Sequence, residues 1–146
     1  MRDKQVARVE DAIGSTLGEG EQIQLAVQAI ITGVPAEQGR IAGAARELNQ
    51  RVNARAAARS EGFAVLTSDR FLCLGKNKAM RPTSTVTVAI SRQDIDRVDY
   101  KRGVMSTLTI WPVEGDGLAL TFGLMLRGQA DALNAALAAA PQTENA

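Results

Sequence analysis

The sequence predicts a mainly β domain. Seven short antiparallel strands form a curled sheet or barrel, with a helix at each end and a helical insert after the first strand. Three observations lead there. Apolar and polar residues alternate with a period of two in segments separated by turn signals. One hairpin, "GFAVLTSDRFLCLGK" at residues 62–76, is apolar on both faces. At both ends of the chain the apolar period lengthens to that of a helix.

The helix at the start spans residues 2–17. Val6, Val9, Ile13 and Leu17 recur at helical spacing, and Gly18 and Gly20 end it. In "EQIQLAVQAII" the period changes to two. Ile23, Leu25 and Val27 alternate with Gln22, Gln24 and Gln28, a strand with one buried and one wet face. Gly33 and Pro35 stop it. Residues 36–60 are rich in Ala and Arg, with Ile41, Leu48 and Val52 as the large apolar residues. They read as a helix, strongest over 44–58, or as a partly disordered insert.

The hairpin follows, with Ser68 and Asp69 suited to the centre of its turn. Strands apolar on both faces need cover on both sides. The N-terminal helix is placed to supply one cover and the core the other. Val86, Val88 and Ile90 then alternate with Thr85 and Thr87. In the next strand the step from Ile95 to Val98 breaks the period and implies a bulge. Leu108 and Ile110, then Leu118, Leu120 and Phe122, mark the last two strands, with the "EGDG" turn between them. Leu126, Ala130, Leu133 and Leu137 form one helical stripe that leads into a helix over residues 127–140. So many strands favour a curled sheet that hides its edges, with the last helix plugging an open end. Leu66, Leu72, Val88, Leu108, Leu120, Leu133 and Leu137 are expected in one core cluster.

The chain reads as a single domain over residues 1–146, its barrel spanning 21–123. Histidine is absent, which removes the commonest general base and metal ligand. Cys73 is the one cysteine and lies inside an apolar strand, so an intramolecular disulfide and a thiolate zinc cluster are excluded. No nucleophile elbow, phosphate loop or metal motif occurs. The expectation is a non-enzymatic protein with no cofactor and no metal. Asp94, Asp96 and Asp99 alternate with Arg92, Arg97, Lys101 and Arg102, the pattern of a solvated mixed-charge strand. The N-terminus has no apolar leader and no run spans a bilayer, which predicts a cytoplasmic protein.

The net charge of +1 hides a segregation. Residues 1–34 hold three basic and five acidic groups, and residues 82–146 hold five and seven. Residues 35–81 hold nine basic groups against four acidic ones. Apart from Arg70 in the hairpin, these basic residues are those of the insert (Arg40, Arg46, Arg51, Arg55, Arg59) and of the loop after the third strand (Lys76, Lys78, Arg81). One reading makes them a solvated face. The other makes Arg46, Arg51, Arg55, Arg59, Lys76, Lys78 and Arg81 a contact site for anionic lipid headgroups or an acidic protein. With one Trp, one Tyr and three Phe, mostly in strands, no stacking platform for nucleic acid is expected.

Helix, strand, insert, six strands and helix resembles the element order of the bacterial pleckstrin-homology-like (PH/GRAM-like) domains. The phrase "AVLTSDRFLCLG", with Thr67 and Arg70, resembles their Thr-x-x-Arg hairpin. Ile95-Asp96-Arg97-Val98 and "QADALNAAL" resemble a later strand and the closing helix. The resemblance covers about residues 19–140. It implies a PH-like curled sheet capped by the C-terminal helix and a binding module in function. The alternative is a structural or assembly protein that self-associates into a homo-oligomer with no small-molecule ligand, which the two-faced hairpin and the Ala-rich helix faces favour and to which the resemblance also points. The Lys/Arg cluster of phosphoinositide-binding members is missing from "IITGVPAEQG". Thr67 and Arg70 are expected to be structural, the hydroxyl serving the turn and the Arg tying it to a nearby carboxylate.

Overall fold

The computed structural model describes residues 4–34 and 60–138. The elements are α1 (Lys4–Ile13), β1 (Ile23–Val34), β2 (Ser60–Thr67), β3 (Arg70–Lys76), β4 (Pro82–Ser91), β5 (Ile95–Lys101), β6 (Ser106–Pro112), β7 (Gly117–Phe122) and α2 (Arg127–Ala138). The expected insert helix lies outside the described residues, except that Ser60 opens β2. Arg40, Arg46, Arg51, Arg55 and Arg59 also lie outside them.

All seven strands form one antiparallel sheet in the order β4-β3-β2-β1-β7-β6-β5. The sheet is not closed: β4 and β5 are its two edges. β1 is its axis. Residues 23–31 pair with β2, and residues 30–34 pair with β7. One long strand therefore serves two three-stranded wings. The predicted bulge is present, as the β5–β6 register shifts between Ile95 and Arg97.

Strand parity divides the apolar residues between two cores. Val27, Ala29, Ala64, Leu66, Phe71 and Cys73 face one way, together with Leu108, Ile110, Leu120 and Phe122 of the other wing. Ala130 and Leu133 of α2 close this inner core. Ala26, Phe63, Val65, Leu72 and Leu74 face the other way and are covered by Val6, Val9 and Ile13 of α1. The hairpin is thus buried on both faces, as its composition requires, and α1 is the second cover. The expectation of one contiguous core is corrected here. Leu72 belongs to the outer cluster, because neighbouring strand residues point to opposite faces and Phe71 and Cys73 point inward. Val88 and Leu137 are partly buried against the inner core.

Gly62 is fixed by its surroundings. A Cβ there would lie 2.4 Å from the Leu74 carbonyl oxygen across the β2–β3 pair. No side chain fits that approach.

Candidate functional site

Thr67 and Arg70 bracket the β2–β3 turn. The Thr67 hydroxyl oxygen accepts from the backbone N–H of Asp69 (3.1 Å) and Arg70 (2.9 Å). It donates to Glu21 Oε2 at 2.5 Å. Arg70 completes the arrangement with two parallel bonds, Nε to Glu21 Oε2 (2.9 Å) and Nη2 to Oε1 (3.1 Å). The Gly18 N–H adds a bond of 2.8 Å to Oε1. Glu21 is the carboxylate that sequence reasoning left unnamed, and its side chain is 2% exposed. The Arg70 fork holds the Glu21 carboxyl down at about 2, helped by Thr67 and Gly18 and opposed by burial. The same partnership raises the Arg70 guanidinium. Thr67 and the Arg70 Nε and Nη2 donors are engaged in holding the turn, as expected for it.

Cys73 is buried, and burial pushes its thiol up to about 12. Arg92 departs from the mixed-charge reading. Its Nη1 donates to Gln24 Oε1 (2.9 Å) and the Thr67 carbonyl (3.1 Å), and its Nη2 to the Ala136 carbonyl (3.2 Å). It ties the hairpin turn to the last turn of α2, where a cation suits the helix dipole. Arg97 and Asp99 do form an exposed pair, and Asp99 also accepts from the Trp111 indole. Among the described residues no group of three candidate ligands is placed to hold a metal ion.

The basic residues of the β3–β4 turn stand on a frame built by Asn77. Its Oδ1 accepts from the N–H of Ala79 (2.8 Å) and Arg81 (3.1 Å), and its own N–H donates to the Arg81 carbonyl (2.9 Å). Lys76 pairs with Glu61 at 3.8 Å. Lys78 and Arg81 are exposed.

A groove of about 890 Å³ lies between β4 and the β6–β7 turn. Its floor is Ile31, Val88, Ile90 and Leu118, where the inner core comes to the surface. Its rim carries Asp94, Glu114 and Asp116, with the hydroxyls of Thr87 and Ser91. Lys76, Lys78 and Arg81 do not line it. One wall is β4 from Thr87 to Ser91, a sheet edge that among the described residues pairs with β3 alone. Such an edge has a free row of backbone donors and acceptors. The groove combines an apolar floor, carboxylates and an open strand edge. That set suits an extended segment carrying cationic side chains. Sequence reasoning missed it, because Val88, Ile90 and Leu118 read as apolar strand positions, Asp94 as part of a solvated mixed-charge strand, and Glu114 and Asp116 as turn residues.

No family model matches the chain, and no curated protein matches it. Among solved structures, the crystal structure of the C-terminal domain of an unknown protein from Leishmania infantum is similar in fold. Its TM-score is 0.51, at 13% identity, over 90% of this chain and 94% of that chain. At that identity the likeness speaks of fold alone. Among the described residues no helix is long and apolar enough to cross a membrane.

Proposed function

We propose that the chain is a non-enzymatic binding module of PH-like architecture, and that its ligand is an extended, basic peptide segment seated in the groove along β4. The PH-like assignment is supported by the strand order, the α2 cap and the Thr67-x-x-Arg70 turn. The observation that carries the ligand is the meeting of a free strand edge, an apolar floor and the carboxylates Asp94, Glu114 and Asp116 in one concavity. The lack of histidine in the chain supports a non-enzymatic role. Main-chain bonds to β4 supply affinity, and alternate side chains meet the floor and the acids. The test is fluorescence anisotropy with dye-labelled acetyl-Lys-Val-Lys-Val-Lys-amide. Binding is expected to weaken by about tenfold in Asp94→Asn/Glu114→Gln/Asp116→Asn, and to fall with salt. No binding, or binding indifferent to the triple substitution, overturns the reading.

A second reading has its own observation. Lys78 and Arg81 stand exposed on the Asn77-framed turn. They suit an acidic protein or anionic headgroups. Self-association through β4 is the structural alternative: Pro82–Ser91 carries no charged residue, whereas the other edge, β5, carries four. Light scattering separates a second copy from a peptide ligand.

A further inference from the structure

Large apolar side chains exposed singly on a surface need no explanation, but clusters do. Seven are exposed among the described residues, and four of them fall on two turns. Val104 (72% exposed) and Met105 (51%) lie between β5 and β6; Leu124 (57%) and Met125 (94%) lie between β7 and α2. Ser106 pairs with Phe122, so the two turns leave the sheet side by side. Arg127 fastens one to the other, its Nε and Nη2 donating to the Gly103 carbonyl at 3.1 and 2.8 Å. Leu126 packs inward against the core, which turns Leu124 and Met125 outward. The four apolar groups are therefore presented by a braced, projecting tip.

The flank of this tip is cationic. Lys101 and Arg102 are exposed on the β5 side, and Arg127 spends its bonds on a neutral carbonyl and keeps its charge. Asp131 faces them and offsets one charge, through Arg102 at 3.0 Å. Two net positive charges remain beside four exposed apolar side chains. A convex apolar tip with a cationic flank matches the boundary between anionic headgroups and acyl chains, where apolar groups insert shallowly and each nearby cation adds attraction. We infer that the tip formed by Val104, Met105, Leu124 and Met125 is a membrane-contact site for anionic phospholipid. It is independent of the groove and of Lys78 and Arg81.

The experiment uses the full chain and phosphatidylcholine vesicles with and without phosphatidylserine. Because Cys73 is buried, Met125→Cys carries a single environment-sensitive dye. The expected result is co-sedimentation with the phosphatidylserine vesicles and a blue shift of the dye. Val104→Ser/Met105→Ser/Leu124→Ser/Met125→Ser should lower partitioning by about tenfold or more with its thermal unfolding unchanged, since these side chains are exposed. Lys78→Glu/Arg81→Glu should keep it. The inference is overturned if the parent prefers neither vesicle, or if the dye stays unshifted on bound protein. It is also overturned if Lys78→Glu/Arg81→Glu abolishes binding while the quadruple variant retains it, or if light scattering shows an oligomer that the quadruple variant dissociates.

Discussion

Arg70 forks onto Glu21 across 49 residues of sequence, joining the β2–β3 turn to the entry of β1 through bonds of 2.9 and 3.1 Å. The carboxylate is nearly sealed from water, so its partner matters more than a surface ion pair would. Arg70→Ala leaves a buried charge with its main donor gone. The expected loss is about 3–5 kcal/mol of unfolding free energy in urea titrations. A loss under about 1 kcal/mol would mean that the fork is solvent-screened and ordinary.

The same pair sets a pH dependence. The Glu21 carboxyl sits at about 2 in the folded protein against 4.5 for the free group. A depressed acid contributes its stability above the unfolded value and loses it as pH falls through the folded one. The loss therefore develops between about pH 4.5 and pH 2, and amounts to roughly 2–3 kcal/mol. Urea titrations at about pH 6 and about pH 3 should show it in the parent and much less of it in Glu21→Gln. Equal slopes in both proteins would remove Glu21 as the cause.

Cys73 should behave as a core side chain. Burial raises its thiol to about 12, so almost no thiolate exists near neutral pH. An alkylating reagent should modify it only as fast as the protein unfolds. Rapid stoichiometric labelling of the native protein would contradict the burial of β3.

The two cores should report separately on the two helices. Leu133→Ala removes a fully buried α2 side chain from the inner core and should cost about 2–5 kcal/mol. Val9→Ala removes a smaller buried group from the outer core and should cost about 1–2 kcal/mol. Hydrogen exchange should then show α1 loosened in the second variant while the β6 and β7 amides stay protected. Uniform loss across the sheet would mean that α1 is integral to the inner core.

These outcomes also mark what the residue order made legible. The hairpin was readable because adjacent residues, Leu72 and Cys73 for example, were both apolar, and that pattern has meaning only if both faces are covered. The cover by α1 followed from Val6, Val9 and Ile13 at helical spacing. Period alone did not say which face belonged to which core, and so Leu72 was placed with Leu66. Glu21 gave no signal, since a carboxylate after Gly20 looks like any turn residue and its partners are distant in sequence. Arg92 was hidden in the same way among alternating charges. The groove was least legible, because it exists only after the sheet curls and brings Val88 and Ile90 opposite Glu114 and Asp116.

The proposal that the β4 groove is the binding site is tested most directly by amide chemical-shift mapping with acetyl-Lys-Val-Lys-Val-Lys-amide. The expected result is saturable shifts along residues 87–91, at Asp94 and at residues 114–118, with the free β4 amides gaining protection from exchange. Shifts confined to the β3–β4 turn, or none anywhere at millimolar peptide, would contradict it.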